Sequence, residues 1–345
     1  MFFSKSFFFN LLKLLLKPLV FFIENLLDFF NIIILWRAGP AIGDNLLMAG
    51  LARKLTNKSK LKVVIISRYS DVLSNSTYVF KSYDWNKIPF KKITYYFLKI
   101  IESKRVIEYM FPVTRYGYSD LSIAKSAGFF IRYDNPPVWR IHVADRFPKE
   151  FFYDFIGGLN YSKKGDGTKL VKKLRNYYPQ KRIAVINPHG KVSYTRLKQF
   201  GFSNYQRIVE LTNDEILYIQ VGLKKQECLS FIDFDARGED LLFLIDLIAS
   251  SDFVLADEGL NNHIAGSFPN VISYVPYSLF SDTEYYSYKN TFVLGSASNI
   301  KLIKVKKKFD QDDYPSKYLT DIQYMANQIL MNERKRLKNE IIYQK

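Results

Sequence analysis

Residues 31–55, NIIILWRAGPAIGDNLLMAGLARKL, decide the fold. Asn31–Trp36 is a short β-rich run, Gly39-Pro40 and Gly43 mark a turn, and a helical pattern follows from Asn45. Strand, glycine-bearing turn and helix in that order open a βαβ unit. Working outward, Leu61–Ser67 (LKVVIIS) is the next buried strand and Asp71-Val72-Leu73 opens a short helix. Lys91–Arg105 is basic, aromatic and helical in pattern, and Val106–Met110 reads as a strand. Ser119–Gly128 reads as a helix ended by Gly128, with Phe129–Tyr133 as the strand after it. The alternation predicts a parallel sheet.

The pattern restarts near residue 180. Lys163–Tyr178 is polar, basic and partly helical, and Pro179 punctuates it. Arg182–Asn187, Glu215–Val221, Phe253–Ala256 and Asn270–Val275 are short apolar strands. Phe202–Leu211, Asp240–Ser250 and a helix near Asn262–Ser267 lie between them. Two consecutive α/β halves predict a doubly wound, two-domain architecture, with residues 31–178 as the first domain and 179–315 as the second. Ser316–Asn339 reads as a terminal helix with Leu319, Ile322, Met325, Ile329 and Leu330 on one face, so 316–345 stands apart. Asp310-Gln311-Asp312 has the look of a metal-binding pair, but its hydrophilic, Lys-rich surroundings read as a solvated turn.

Residues 1–35 are the most apolar stretch, interrupted by Lys13, Lys17, Glu24 and Asp28. No uncharged run approaches the roughly 18 to 20 residues of a membrane span, and no small-residue cleavage site follows an apolar core. Lys13 and Lys17 share a helix face. An interfacial helix with its apolar side in lipid explains residues 1–30, and a helix packed on the protein's own core is the alternative. Pro18 kinks the helix or starts a second one at Leu19.

Composition narrows the function classes. Nearly half of the 345 residues are apolar (48%), which excludes collagen-like, low-complexity and disordered chains. Cys228 is the only cysteine, so no internal disulfide or Cys-rich zinc site exists, and three histidines do not make a His-built metal cluster. Lys and Arg number 50 against 33 Asp and Glu, a net +17 that favours anionic partners: nucleic acid, acidic lipid or phosphorylated small molecules. A lysine-rich compositional bias accounts for the same number. No zinc-finger spacing or RNP-type aromatic motif points to nucleic acid.

Four segments carry the chemistry. They are Gly39-Pro40-Ala41-Ile42-Gly43-Asp44, Asp71-Val72-Leu73 through Val79, Ile186-Asn187-Pro188-His189-Gly190, and Asp257-Glu258-Gly259-Leu260-Asn261-Asn262-His263. Their order and spacing over roughly residues 31–275 resemble the heptosyltransferase-type glycosyltransferases, glycosyltransferase family 9. Glu258 and Asn261 stand where that family usually has Ser or Thr before the glycine and Pro after it. The resemblance implies the GT-B fold, two Rossmann-like domains facing across a cleft, and an inverting, metal-independent sugar transfer with no cofactor. The donor is a nucleotide sugar, ADP-heptose in the family. The acceptor is a lipid-linked or lipopolysaccharide glycan at the cytoplasmic face of the inner membrane.

Asp44 sits at a strand-to-helix turn, where a carboxylate can take the proton of an attacking hydroxyl. The family's proposed base occupies this Gly-Asp position, and a helix N-cap is the plain alternative. Gly39 and Gly43 allow close backbone approach on the acceptor side, or merely form a turn. In the second half, Gly259 before a helix offers free N–H groups to a diphosphate. Around it Asp257 anchors the loop, Glu258 reaches a donor hydroxyl, and Asn262 and His263 lie in the first turn. The plain alternatives are a solvated Glu258 and a packed His263. Asn187, His189 and Lys191 follow the strand opening the second domain, where positive charge would neutralise a leaving diphosphate. Gly222 resembles the family's Val-Gly near the donor base, and a buried turn glycine is the plain alternative. Two other classes fit the composition: a non-catalytic nucleotide-binding relative, and a basic α/β protein that binds nucleic acid.

Overall fold

The computed structural model describes residues 14–39, 42–101, 103, 105–108, 165–189, 200–257, 259–268, 270–276, 291–293 and 319–343. The helix and strand expected at Ser119–Gly128 and Phe129–Tyr133, the Asp310-Gln311-Asp312 pattern, Lys191 and Glu258 lie outside these residues. The chain divides into two compact units, one containing residues 14–108 and the other 165–343.

The first unit runs α1 (Lys17–Phe29), β1 (Ile32–Arg37), α2 (Ile42–Ser59), β2 (Lys62–Ser67), α3 (Ser70–Leu73), β3 (Lys81–Asp84), a 3-10 turn at Trp85–Lys87, α4 (Lys91–Ile100) and β4 (Val106–Glu108). The strands are parallel in the order β3-β2-β1-β4. Leu35 pairs with Ile65, and Trp36 with both Ile66 and Glu108. The two-residue period of a strand sends alternate side chains to opposite faces. Ile33, Leu35, Val63 and Ile65 are buried on one face. On the other, Ile34, Trp36 and Ile66 join a cluster with Trp85, Leu98 and Val106.

Helix α1 packs one of its stripes, Leu16, Val20, Ile23 and Leu27, against that same cluster. The spacing of three and four keeps these residues on one side of the helix. Pro18 occupies the first turn, where its missing N–H costs nothing, so it starts the helix rather than kinking it. Asp28 pairs with Arg105 and ties the helix to the segment before β4. No helix among the described residues is long and apolar enough to cross a membrane.

The second unit contains α5 (Asp166–Tyr177), β5 (Arg182–Asn187), α6 (Phe202–Thr212), β6 (Ile216–Gln220), β7 (Phe234–Asp235), α7 (Leu241–Ser250), β8 (Phe253–Ala256), α8 (Leu260–Gly266), β9 (Ile272–Val275), β10 (Thr291–Val293) and α9 (Leu319–Tyr343). All its strands are parallel, in the order β10-β9-β8-β5-β6-β7. Ile183, Val185, Leu217, Ile219, Val254 and Leu255 are fully buried, as a sheet covered on both faces requires.

Helix α5 belongs to this unit, although the division at residue 178 leaves it with the first half. Gly167 lets it cross α7 closely: a Cβ there would lie 2.4 Å from the Leu247 nitrogen. The Asp246 carboxylate on α7 accepts from the Thr168 amide at 2.6 Å and its hydroxyl at 2.9 Å, a cap supplied from another helix. Helix α9 buries Ile322, Met325 and Ile329 beside Tyr218, Phe253 and Tyr274. Its Glu333 and Glu340 bind the Arg182 guanidinium at 3.0 and 2.7 Å, at the amino end of β5.

Candidate functional site

In the second unit, counted from its own first strand, the order is 3-2-1-4-5-6, the doubly wound arrangement. Strand order reverses between β5 and β8. Such a reversal, at the carboxyl ends of the strands, is where folds of this kind bind ligands. The same reversal lies between β1 and β4 in the first unit.

The three loops read as donor-binding leave neighbouring strands at that edge. Asn187 ends β5, and its Oδ1 accepts from the His189 amide at 3.1 Å, an Asx turn that folds the chain back over the strand end. The His189 ring stacks on Phe202 with centroids 5.3 Å apart. Its Nε2 lies 3.1 Å from the Glu227 carbonyl oxygen. A carbonyl only accepts, so this nitrogen carries the proton. His189 therefore bridges the loops after β5 and β6.

Gly222 follows β6 with φ +139°, a conformation that side chains resist. A Cβ there would meet Gln226 Oε1 of the same loop at 2.4 Å, so glycine is required by the backbone conformation and by this tight turn, while Asn187 Oδ1 at 3.6 Å lies at ordinary contact distance. Gln226 Oε1 accepts from the Leu223 amide at 2.6 Å, and Arg237 donates to the Gln226 carbonyl. The hydrogen bonds of Arg237 hold the Asp235 carboxyl well below the usual range, outweighing partial burial.

Asp257, immediately after β8, is buried, and its Oδ1 accepts from the Phe200 amide at 3.1 Å and the Tyr205 hydroxyl at 2.8 Å. It ties the start of α6 to the β8 loop. Burial, and then the charge of Asp257, push the Tyr205 phenol well above its ordinary pKa, so it stays a donor. Gly259 behaves differently from Gly222: its backbone is extended and a Cβ would meet no atom within 4 Å. Asn262 is fully buried; its Oδ1 accepts from the Gly259 amide at 2.8 Å and its Nδ2 donates to Ser273 Oγ at 2.9 Å. Both ends of that side chain are engaged in fixing the turn to β9. His263 is half-buried in α8, a helix of only two turns.

In the first unit, Gly43 and Asp44 fall within the first turn of α2, which begins at Ile42. Asp44 is thus the third helical residue rather than the cap, a position where an acidic group favours the helix dipole. Its side chain lies outside the described set. Next to it, Asn45 is fully buried: Nδ2 donates to the Gly39 carbonyl at 3.0 Å and Oδ1 accepts from Ser67 Oγ at 2.7 Å. Arg68 Nε adds a bond to the Ala38 carbonyl at 2.7 Å. The Gly39 turn, the start of α2 and the end of β2 are locked together at the carboxyl edge of the sheet.

Asn45, Gln226 and Tyr205 were given no role by the sequence reading. Asn45 left one signal, a polar side chain at a helical position flanked by core residues such as Leu46 and Ala49. Tyr205 left none, because an aromatic on a helix's apolar face reads as core. Among the described residues no group of three His, Cys, Asp or Glu side chains is placed to hold a metal ion.

The two units define the fold class: a pair of Rossmann-like sheets in one chain, the GT-B-like α/β arrangement. No protein-family model matches the sequence, and no curated protein does. Solved structures share the fold. The ADP-heptose lipopolysaccharide heptosyltransferase II of E. coli is similar with a TM-score of 0.51 at 14% identity, covering 86% of this chain and 99% of its own. A family 9 glycosyltransferase from Veillonella parvula DSM 2008 is similar with a TM-score of 0.56 at 11% identity, covering 89% of this chain and 97% of its own. These folds match the family resemblance carried by the four sequence segments.

Proposed function

We propose that the protein is a glycosyltransferase that moves a heptose or similar sugar from a nucleotide-sugar donor to a lipopolysaccharide or other cell-surface glycan. The observation that supports this best is the meeting of Asn187, His189, Gly222, Asp257 and Gly259 at three adjacent strand ends around the reversal point of the second sheet. The reading makes the second unit, which takes in α5 and α9, the nucleotide-sugar domain and the first unit the acceptor domain.

In this scheme the open side of Gly259 admits the donor diphosphate, and Asp257 and Asn262 hold the loop in shape without touching it. His189, Lys191, Glu258 and His263 are the side chains offered to the donor, with Gly222 near its base. An acceptor hydroxyl oxygen attacks the anomeric carbon as the bond from that carbon to the diphosphate oxygen breaks. The bonding pair leaves with the nucleoside diphosphate, the hydroxyl proton passes to the Asp44 carboxylate, and the anomeric configuration inverts. Lysine charge and backbone N–H groups stabilise the departing diphosphate, the electrostatic part of the catalysis. No metal enters the scheme. The protein would work at the inner face of the inner membrane, held by residues 1–30 and the basic surface.

The deciding experiment is a calorimetric titration with ADP-, GDP-, UDP- and CDP-sugars, followed by a transfer assay with the sugar that binds. Binding of an ADP-sugar and transfer with inversion are expected. Nucleotide binding without any transfer favours a non-catalytic relative. Salt-dependent RNA or DNA binding without nucleotide-sugar affinity replaces the reading altogether.

A further inference from the structure

Helix α1 is apolar on two sides. Leu16, Val20, Ile23 and Leu27 face the core, while Leu19, Phe22, Leu26 and Phe29 form a second stripe that is exposed, Phe29 by 82%. Helix α4 repeats this arrangement against the same cluster. Leu98 and Ile100 enter the same Trp36–Trp85 cluster that receives α1. Phe90, Ile93 and Tyr96 are exposed by 77%, 68% and 57%. Both helices cover one face of the first sheet, so their outward sides belong to one surface.

On the α4 side of that surface the charge is of one sign, whereas α1 carries Lys17, Glu24 and an Asp28 that is paired with Arg105. Residues 85–101 contain Lys87, Lys91, Lys92 and Lys99 and no carboxylate. Lys99 is turned inward to Glu108 and the Trp36 ring; the other three are exposed. Exposed Phe, Ile and Tyr with lysines alongside are the composition of an interfacial helix, rings at the acyl boundary and ammonium groups at the phosphates. A second copy seated with α4 on α4 would bring lysine against lysine, whereas an acidic lipid layer neutralises them.

We propose that the outer faces of α1 and α4 form one composite docking surface for an anionic phospholipid bilayer, α4 and the turn before it contributing as much as the N-terminal helix. This rests on the membrane-surface part of the function proposed above and adds the second element, which hydropathy alone does not reveal because α4 is short and lysine-rich.

The test is co-sedimentation of the full chain with vesicles of phosphatidylglycerol in phosphatidylcholine, and with pure phosphatidylcholine vesicles as the neutral control. Three triple variants are compared: Phe90→Ser with Ile93→Ser and Tyr96→Ser; Lys87→Gln with Lys91→Gln and Lys92→Gln; and, on α1, Phe22→Ser with Leu26→Ser and Phe29→Ser. All nine positions face outward, and circular dichroism melting verifies that each variant folds. The wild type is expected to prefer acidic vesicles. The α4 lysine variant should lose about 100-fold in partitioning, since each of the three lysines near such a surface contributes roughly a factor of five. The α4 apolar variant should lose at least as much as the α1 variant. Wild-type partitioning by either α4 variant, with loss confined to the α1 variant, overturns the inference and leaves the N-terminal reading standing. Absence of vesicle binding by the wild type overturns both. Loss of self-association in sedimentation velocity with vesicle binding unchanged assigns the surface to a second copy and likewise overturns it. Vesicle binding is read without donor and donor binding without vesicles, so failure here leaves the glycosyltransferase reading separately testable.

Discussion

The Tyr205 hydroxyl donates to Asp257 Oδ1 at 2.8 Å, joining residues 52 positions apart across the carboxyl edge of the second sheet. The same oxygen takes the Phe200 amide. A buried carboxylate with two donors is a strong tether, because its charge makes each hydrogen bond stronger than a neutral one. Through it, the entry to α6 and the β8 loop move as one body.

Tyr205→Phe removes one donor and leaves the carboxylate buried. Such a deletion costs about 1–3 kcal/mol. Urea unfolding should show a lower midpoint with an unchanged slope, and nucleotide-sugar affinity should fall with it as the loop carrying Gly259 loosens. A midpoint equal to wild type means that the bond contributes nothing and the loop is held by other contacts.

The opposite edge of the same sheet supplies a pH-dependent prediction. Arg182 is buried among Glu333, Asp252 and Glu340. Burial pushes the Glu340 carboxyl up, but the hydrogen bonds and charge of Arg182, with Arg336 and Arg175, together hold it below its ordinary value of 4.5. A carboxyl depressed in the folded state adds stability that is present above the unfolded pKa and lost as pH falls through the folded one. Arg182→Met takes the guanidinium from Glu340 and leaves Glu333 to Arg336 and Asp252 to Arg175, a change of about 1.5–3 kcal/mol at neutral pH. The melting curves of variant and wild type should converge as pH drops below 4.5. A gap that stays constant through that range shows that packing, not charge, holds α9.

Asn45 links the Gly39 turn to the sheet, and its replacement separates folding from positioning. Asn45→Ala strips a partner from the Gly39 carbonyl and from the Ser67 hydroxyl, at about 1–3 kcal/mol. Because Asn45 follows Asp44 directly, transfer should slow as well, through kcat more than KM. Loss of stability with kcat unchanged would assign Asn45 to the core alone.

How much of this was legible follows from the physics of each signal. The short apolar strands and the helices between them read directly, because burial on both faces fixes their composition; Phe253–Ala256 has the same limits in sequence and structure. Strand β3, KSYD, did not read as a strand, being an exposed or half-buried edge with no apolar period. Nor did β7, two exposed residues held by pairing with Ile219 and Gln220. Membership of α5 in the second unit was hidden because Gly167 marks a close helix crossing that a glycine in a polar helix does not announce. At the site, the strand-end positions of Asn187, Gly222 and Asp257 follow from their places after apolar runs. The engagement of Asn262 with Gly259 and Ser273 depends on a contact eleven residues away, which local pattern does not encode.

The sharpest prediction concerns Asp44. Its place in the first turn of α2, after the Ile42 start, makes it an acidic group near the helix dipole's positive end rather than the cap. That interaction is worth about 0.3–1 kcal/mol, so Asp44→Asn should change the melting temperature only slightly. Asparagine nearly matches the size of aspartate but takes no proton at neutral pH. A general base contributes about 10²–10⁴-fold in rate. Asp44→Asn should therefore bind the nucleotide sugar as wild type does and transfer it slower by about that factor. Asp44→Ala should show the same kinetic loss with no larger loss of stability than the dipole term, whereas a capping role predicts a loss of about 1 kcal/mol in the alanine variant alone. The measurement is single-turnover transfer at saturating donor and acceptor, where the chemical step is read directly. Wild-type rates in Asp44→Asn under those conditions remove Asp44 as the base and move the search to Asp71 and Glu258.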